Sequence, residues 1–529
     1  MMSQGETMKM VTSLDQLRIL GDTEVVFLLL IPFAIISLLM VLYHGSGGSD
    51  LSGGGTTDRS STSRVKIHQS GYFWFQPTTK NVQMVNDLRS IGEYKPPWWY
   101  WSHLGAIFAF GHDPQLRYER EIITHADGSR CAIDWYPRKP TPLSISLLAN
   151  GDGVEPIKIC VFIPGLGLSS RSKFCQKFVQ TCDSQGVICA VVNHRGVELP
   201  LETEKFWHPA HTEDVTSVLK DIQNILDCKD PLLAPTCCCD CSPSSSCCLQ
   251  GSTSRSAKVF MVGYSAGTNV MMKTILKNQQ FKQMITAMLC VCVTYDYKKS
   301  RDNLENTLIG SIYSWLITLN HKQTLRRNQH VLSRSKSDDM LTRISSKRMY
   351  KLSHFDAYAS TELFGYSEES DYHNDLSNFQ INEIDVPTLM IQPQDDPLHY
   401  KFMHQNIRPE YFCCNDNFIF YHPPFGNHFG FYEGNMTEAF TNTTSYTFPA
   451  KLGLAFFHKI ISDKMSAHNE HHSEGYGCRS RSFPDCTYYN LSTLYNRHSS
   501  KYDNDLIKSN GDCNDSVFFT CCLGNEQIE

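Results

Sequence analysis

A serine stands at the centre of the segment GYSAG, residues 263–267, directly after a short apolar run and directly before a helical pattern. This G-x-S-x-G spacing is typical of a nucleophile elbow, a tight strand-to-helix turn that exposes a serine hydroxyl. The two glycines allow the strand and the helix to approach each other closely. The motif alone also arises by chance in a chain of 529 residues, so its flanking elements carry the inference. Together they predict Ser265 as a nucleophile.

A serine hydroxyl is a weak nucleophile unless a base removes its proton, and the base is usually a histidine held by a carboxylate. In folds with this elbow, the chain order is serine, then the acid, then histidine. Asp396 follows the apolar run at 386–393 and precedes Pro-Leu, so it is the predicted acid, with Asp395 left open as the alternative. His428 lies in FGNHFGF, residues 425–431, and is the predicted base.

The chain has 21 histidines, so position and context must select the base. His428 follows the last apolar run in a loop flanked by glycines, which is where the elbow fold places its histidine. The nearby rivals are expected to be surface or edge residues; they are His399, His404 and His422.

An acyl-transfer site also needs N–H groups aimed at the oxyanion that develops during the reaction. The backbone N–H of Ala266, directly after the serine, is the first predicted donor. The second is expected from the loop PGLGL at 164–168, where we assign the N–H of Leu166, with Gly165 as structural support. A simple glycine turn is the alternative interpretation of this loop.

Short apolar runs separated by helical patterns predict the elements that position these residues. Buried parallel strands are expected at 158–165, 187–196, 258–263, 284–293, 386–393 and 417–424. Helical patterns lie between several of them, for example at 212–226 and 266–278. Ahead of them, residues 117–137 resemble a hairpin that turns at Asp127-Gly128. This alternation predicts an α/β fold with a mostly parallel sheet.

Composition is that of an ordinary globular protein, with 41% hydrophobic residues and a net charge of -6. The absence of a basic excess argues against nucleic-acid binding. The 21 cysteines are scattered, and several lie inside apolar runs, so we expect mostly reduced thiols rather than a disulfide scaffold.

Residues 25–43, VVFLLLIPFAIISLLMVLY, form an uncharged stretch of 19 residues, about the length needed to cross a bilayer. We interpret it as a retained single-pass anchor; a cleavable signal peptide is the alternative, although such peptides usually have a shorter apolar core behind a basic region. The expected location is therefore a membrane, that of the endoplasmic reticulum or the plasma membrane.

The predicted domain organisation places an N-terminal segment at 1–24 before this anchor. A flexible, glycine- and serine-rich linker follows at 44–94, the folded domain at 95–460 and a polar, disordered tail at 461–529. Within the domain, 295–384 is too long for a simple crossover and is expected to form a cap. Residues 228–256 form a cysteine-rich insertion, interpreted as an unstructured surface segment, with zinc binding or S-acylation as alternatives.

Six blocks of the chain, in this order, resemble the YheT-like branch of the abhydrolase-domain (α/β-hydrolase) family: PPWWYWSHLGAIFAFG, VFIPGLGLSS, VVNHRGVELP, VGYSAGTNV, DDPL and FGNHFGFYEG. The likeness spans roughly residues 95–460 and is strongest to the membrane-anchored monoacylglycerol lipases of that branch. It implies an α/β-hydrolase fold, one transmembrane helix and a triad of Ser265, Asp396 and His428. The cysteine-rich insertion is not part of the family pattern.

The resemblance implies activity on acylglycerols or other lipid esters. Together with the triad it predicts a serine hydrolase that works through an acyl-enzyme, needs no metal or organic cofactor, and has a lipid ester and the membrane as its partners. Alternatives are an esterase of soluble esters, a phospholipase, a membrane acyltransferase, and a non-catalytic hydrolase-like receptor or scaffold. The His-x4-Asp motif linked to acyltransferases occurs at His458–Asp463 and His498–Asp503, which we interpret as chance matches.

Overall fold

The computed structural model describes most of the region predicted to fold. The described residues are 71–97, 116–141, 156–227, 257–334, 338–345, 349–377, 383–398, 415–428, 431, 433 and 448–471.

One mixed sheet of nine strands organises the described residues. The strands are β1 (Tyr72–Phe75), β2 (Glu119–Thr124), β3 (Arg130–Tyr136), β4 (Lys158–Ile163), β5 (Val187–Asn193), β6 (Lys258–Tyr264), β7 (Ile285–Val291), β8 (Thr388–Ile391) and β9 (Phe418–His422). Their order across the sheet is β1-β9-β8-β7-β6-β4-β5-β3-β2. Pairing is parallel from β5 through β4, β6, β7 and β8 to β9, and antiparallel at both edges.

Helices cover both faces of this sheet. They are α1 (Thr79–Ser90), α2 (Lys173–Asp183), α3 (Glu213–Leu226), α4 (Ala266–Lys277), α5 (Tyr297–Glu305), α6 (Leu308–Arg327), α7 (Gln329–Leu332), α8 (Asp338–Ser345), α9 (Leu352–Phe355), α10 (Thr361–Phe364), α11 (Glu369–Leu376) and α12 (Phe448–His471). A 3-10 turn (Gln279–Phe281) and a π-helical turn (Asp356–Ser360) complete the set.

The buried apolar residues form one layer on each side of the sheet. On one face, α1, α2 and α12 pack on the strands, with Phe457 of α12 stacked on Phe260 of β6 at 4.3 Å between ring centroids. On the other face, α3 and α4 pack through residues such as Leu219 and Val270. The central strands are buried on both sides, which is why they are continuous apolar runs in the sequence.

The strands and helices predicted from hydrophobic patterning are confirmed. All six predicted apolar runs contain a strand of the sheet, and α3 and α4 occupy the two predicted helical patterns. The β2–β3 hairpin turns at Gly128, whose φ of 81 favours glycine. The interval predicted as a cap, 295–384, contains helices α5 to α11 between β7 and β8.

Two predicted boundaries differ from the structure. Strand β1 and helix α1 lie inside 44–94, which the composition predicts as a linker, yet β1 pairs with β9 at the edge of the sheet. Aromatic side chains stabilise this pairing, since Trp74 stacks on Phe420 and Phe73 on Tyr421. Helix α12 also continues to His471, past the predicted start of the tail at 461.

Several predicted features fall outside the described residues. They are the N-terminal segment, the anchor at 25–43, the cysteine-rich insertion at 228–256 and residues 472–529. Within the part of the chain that is described, no helix has the length and hydropathy needed to span a bilayer.

The cysteines of the described core are free and buried, as predicted for reduced thiols that pack as small apolar side chains. They are Cys131, Cys160, Cys175, Cys182, Cys189, Cys290 and Cys292.

Two partly buried histidines make the stability of the fold sensitive to acid. Burial lowers the pKa of His208 to about 3, with the charge of His211 acting in the same direction, and burial lowers the pKa of His211 to about 4. Both rings are therefore neutral in the folded chain at a pH where the unfolded chain would protonate them. The stability associated with their neutral forms is complete above about pH 6.5 and is lost as the pH falls towards 4.

We expect the free energy of unfolding to fall by about 2 kcal/mol per ring between pH 7 and pH 5. Urea denaturation of the wild type and of His208→Phe at both pH values measures this effect. Phenylalanine preserves the aromatic contact with Phe364, whose ring centroid lies 4.5 Å away, but cannot titrate. The variant should lose about 2 kcal/mol less than the wild type on acidification. Equal losses of stability in the two proteins would contradict the assignment of this pH dependence to His208.

Candidate active site

Ser265 occupies the turn between β6 and α4 in a strained backbone conformation, with φ 50 and ψ -124. Positive φ is unfavourable for a residue with a Cβ, so neighbouring contacts must maintain it. The backbone N–H of Ser265 donates to the carbonyl of Val291 at 2.9 Å, and its own carbonyl accepts from Thr268 N at 2.9 Å. The serine side chain is half-exposed at the end of the strand. The predicted elbow is therefore present.

Close backbone contacts explain both glycines of the elbow. A Cβ on Gly267 would lie 2.2 Å from the carbonyl oxygen of Ile163 in β4. A Cβ on Gly263 would lie 2.7 Å from Cα of Thr268. No side chain fits at either position unless the backbone moves.

His428 lies between the serine and a carboxylate. Its Nε2 is 2.8 Å from Oγ of Ser265, and its Nδ1 is 2.8 Å from Oδ2 of Asp396. The ring is 4% exposed, and Asp396 is fully buried. When the Nδ1 proton is donated to the carboxylate, Nε2 is left to accept the hydroxyl proton of the serine. The structure thus brings together the three side chains predicted from the sequence.

The two neighbouring aspartates have different contacts. Asp396 accepts hydrogen bonds from Nε2 of Gln392 at 2.8 Å and from the backbone N–H of Leu398 at 2.9 Å, in addition to the histidine. Asp395 accepts from the backbone N–H of Asn427 at 2.8 Å. Asp396 therefore contacts the imidazole, whereas Asp395 contacts the loop that carries it.

Asn427 and Cys292 also support this loop, and the sequence did not single them out. Both are non-glycine residues with positive φ, 55 for Asn427 and 58 for Cys292. The side-chain oxygen of Asn427 accepts from the backbone N–H of His428, and the Cys292 thiol donates to the Asn427 carbonyl at 3.6 Å. Burial raises the pKa of Cys292, and the charge of Asp396 raises it further, so the thiol stays protonated.

The loop after β4 lies against the serine, as predicted for an oxyanion loop. A Cβ on Gly165 would be 3.2 Å from Cβ of Ser265, so the backbone here is in contact with the elbow. Leu166 is half-buried in this loop, and Ala266 is the first residue of α4. N–H groups in the first turn of a helix have no partner within the helix and favour negative charge. The roles of Leu166 and Ala266 as oxyanion donors remain predictions.

The rival histidines have different surroundings. His422 is buried in β9, and its ring hydrogen-bonds the carbonyl of Gln392. His399 and His404 lie outside the described residues. Of the His-x4-Asp matches, His458 and Asp463 both lie on α12, where Asp463 pairs with Lys459 at 3.5 Å.

Three clusters of metal-ligand residue types lie elsewhere in the described chain. They are Cys160, Cys182 and Cys189; His125, Cys131 and Asp214; and Asp356, Glu369 and His373. The thiol cluster is fully buried in the apolar core. Arg195 hydrogen-bonds Asp214 at 2.7 Å, and Arg301 lies 2.6 Å from Asp356, so a guanidinium already neutralises each of the two clusters that contain carboxylates. We assign no metal to any of them.

Helix α6 of the cap lies over the site. A Cβ on Gly167, in the loop after β4, would meet Oδ1 of Asn320 at 3.1 Å. Tyr313 and Ile317 pack with Leu398, two residues after the buried acid. Helix α6 therefore lies close to the loop after β4 and to the residues that follow the acid.

Known proteins have sequences that are similar to more than half of this chain. "Abhydrolase domain-containing protein 2" of Drosophila melanogaster is 24% identical over 328 residues, 60% of this chain and 71% of that protein. "Monoacylglycerol lipase ABHD2" of Homo sapiens is 22% identical over 328 residues, 60% of this chain and 68% of that protein. A Danio rerio protein of the same name is 23% identical over 375 residues, 68% of this chain and 77% of that protein.

The chain is a relative of the abhydrolase-domain proteins. The resemblance inferred from the sequence motifs is thereby confirmed. No family model matches the chain.

Among solved structures, an arylesterase has a TM-score of 0.36 at 13% identity and covers 71% of this chain and 98% of its own. Brefeldin A esterase has a TM-score of 0.32 at 13% identity and covers 73% and 94%. The mostly parallel sheet, its crossover helices and the elbow show that this chain has the α/β-hydrolase fold.

Proposed function

We propose that this chain is a serine hydrolase that cleaves carboxylic esters of lipids, as a monoacylglycerol lipase or esterase. The observation that carries the proposal is the line of hydrogen bonds from Ser265 through His428 to Asp396, with 2.8 Å at each step. Three side chains that are 163 and 32 residues apart meet in one hydrogen-bonded geometry, which a non-catalytic scaffold does not need. The names of the relatives, which include monoacylglycerol lipases, support the lipid substrate class.

The proposed reaction is a two-step acyl transfer. Nε2 of His428 takes the hydroxyl proton as Oγ of Ser265 attacks the ester carbonyl carbon. The resulting oxyanion lies at the N–H groups of Ala266 and Leu166. When the carbon–oxygen bond of the ester breaks, the imidazolium gives its proton to the departing alcohol. Water, from which His428 takes a proton, then attacks the carbonyl carbon of the acyl-enzyme. This step releases the fatty acid and restores the serine hydroxyl.

Asp396 orients the imidazole and stabilises its charged form during both steps. Gln392 donates to Oδ2 of the carboxylate, the oxygen that also contacts His428, and the backbone N–H of Leu398 donates to Oδ1. Together these two donors hold the carboxylate in place. We place the enzyme at a membrane through residues 25–43, because lipid esters partition into bilayers and tethering raises the rate of encounter.

A substrate panel with the purified full-length chain in detergent micelles tests the substrate class. Monoacylglycerols, diacylglycerols, phospholipids and short soluble esters are compared by the fatty acid that each releases. We expect release from monoacylglycerol at the highest kcat/KM. If soluble esters alone are cleaved, the lipid assignment fails. If, when a primary alcohol is added, the acyl chain is transferred to the alcohol faster than it is released as fatty acid, the protein is an acyltransferase. Failure of every ester would leave no support for hydrolysis.

Gln392 is proposed as a positioning residue for the triad acid. Replacing it with methionine keeps the side-chain length but removes a hydrogen bond to a buried carboxylate, an interaction that contributes about 1.5–3 kcal/mol. We expect kcat to fall about tenfold or more while KM stays within about twofold. Steady-state kinetics on a short soluble ester measure both constants.

Gln394→Met is the matched control for this variant. Gln394 is equally buried, and its amide donates to the carbonyl of His422 at 3.4 Å. The control should keep its kcat within about threefold of the wild type. Equal loss in both variants would show that Gln392 matters only for folding.

A further inference from the structure

Helix α6 of the cap carries apolar side chains on its outward side. Leu308 is 82% exposed and Trp315 is 39% exposed, although both are large apolar residues. Ile312, Leu316 and Leu319 are partly exposed and lie at the helical spacing that places them on the same side. We call these five residues the outward stripe. Its size distinguishes it from a single exposed apolar residue, which would need no explanation.

The opposite side of the same helix faces the domain. Tyr313, Ser314 and Thr318 are buried, and Ser314 accepts from the backbone N–H of Leu352 at 2.8 Å. The first half of α6 is therefore apolar on its outward side, whereas its packed side combines the ring of Tyr313 with the hydroxyls of Ser314 and Thr318. An apolar stripe on the outward side of a surface helix indicates that another apolar surface covers it.

The sequence interval that holds the outward stripe carries only basic charges, and the preceding Glu305 accepts a hydrogen bond from Ser314 on the packed side of the helix. Residues 306–337 contain no Asp or Glu, although the whole chain has a net charge of -6. The basic residues in this interval are Lys322, Arg326, Arg327, Arg334 and Lys336. Arg326 and Arg327 are exposed at the end of α6. Arg326 follows Leu308 by 18 residues, which is five helical turns, so it extends from the same side of the helix.

The outward stripe also lies next to the site. Asn320, one residue after the end of the stripe, contacts the oxyanion loop at Gly167, and Tyr313 packs near the acid with Leu398. A surface that covers the stripe would therefore lie against the same helix that approaches the loop beside Ser265.

We propose that the outward stripe of α6 docks the domain onto an anionic lipid surface. The occupant is a bilayer because exposed apolar residues that include a tryptophan, followed by arginines and free of carboxylates, have the composition of an interfacial helix. Basic side chains beside the stripe are attracted to negatively charged headgroups. In this position, a lipid ester passes from the bilayer to the serine without crossing water.

The test uses the full-length chain in vesicles of phosphatidylcholine, with and without phosphatidylserine. The double variant Leu308→Asp with Trp315→Asp places charge on the stripe. Ile122→Asp is the matched control, because Ile122 is also a large apolar residue, is 49% exposed, and lies on β2 rather than on α6. Hydrogen exchange of the peptide that covers 308–319 reports docking without any need for turnover.

We expect phosphatidylserine to slow exchange in this peptide of the wild type and of the control, but not of the double variant. The kinetic part rests on the proposed function: hydrolysis of monoacylglycerol in these vesicles should fall about tenfold in the double variant, with a short soluble ester cleaved within about twofold of the wild type. Equal exchange with and without phosphatidylserine in the wild type overturns the proposal. So does an equal loss on both substrates.

A second copy of the chain is the other candidate occupant. In that case the peptide would be protected without lipid, and the double variant would lower the oligomeric mass in detergent, which also overturns the proposal. If the wild type cleaves no ester, the proposed function fails, and the exchange result alone decides whether the helix docks.

Discussion

Replacing Ser265 with alanine should lower ester turnover by about 10,000-fold or more, which is the effect of losing the nucleophile of a triad. The hydroxyl is the only part of the side chain that changes, and it contacts Nε2 of His428 at 2.8 Å. The expected stability change is small, because removing a half-exposed hydroxyl leaves little buried surface unsatisfied. Initial rates on a monoacylglycerol and on a soluble ester measure the loss.

Ser184→Ala is the matched control. Ser184 lies at the end of α2, is exposed, and donates to the carbonyl of Thr181 at 2.7 Å. This variant should keep turnover within about twofold of the wild type. Any turnover that survives in Ser265→Ala at more than about a hundredth of the wild-type rate would assign the chemistry to another nucleophile.

Replacing Gly267 with alanine should destabilise the fold by about 3 kcal/mol or more, the upper part of the range for overpacking. The new Cβ would lie 2.2 Å from the carbonyl oxygen of Ile163 and 2.5 Å from that of Pro164. Both are backbone atoms of the strand and loop beside the serine, so neither can rotate away. Thermal and urea denaturation should show the loss, and turnover should fall because the oxyanion loop must move.

Gly186→Ala is the control that separates this contact from glycine's backbone freedom. Gly186 has φ 67, so alanine is strained there, but no atom lies within 4 Å of the new Cβ. We expect a cost of about 1–2 kcal/mol from the backbone alone and unchanged kinetics. If Gly267→Ala costs no more than this control, the close approach of α4 to β4 is not what requires glycine at the elbow.

The three residues of the predicted triad could be located from the sequence because each follows a strand that is buried on both faces. Such strands are continuous apolar runs, and parallel strands bring their carboxyl ends to one edge of the sheet. Ser265 and Asp396 could therefore be located by the residues that precede them, and His428 by the loop after the last run. Their convergence within hydrogen-bonding distance is a property of the folded sheet.

The structural features that the sequence did not predict depend on contacts with residues that are distant in the chain. Strand β1 lies in a segment that looks like a linker by composition, and its pairing partner β9 is more than 300 residues later. Gln392 and Cys292 have ordinary residue types for a buried strand end, so nothing local indicates their contacts with the acid or with Asn427. The sequence favoured Asp396 and left Asp395 open; the structure places the Asp396 carboxylate 2.8 Å from Nδ1 of His428 and the Asp395 carboxylate 2.8 Å from the backbone N–H of Asn427.

The transfer of the Ser265 proton to His428 is tested most directly by the rate at which a fluorophosphonate modifies the serine. Peptide mass spectrometry of the wild type and of His428→Gln locates and times the adduct. We expect a single adduct on Ser265 in the wild type and a rate about 1,000-fold lower in the variant, because glutamine cannot accept the proton. An adduct on another residue, or an unchanged rate in His428→Gln, would contradict the proposed mechanism.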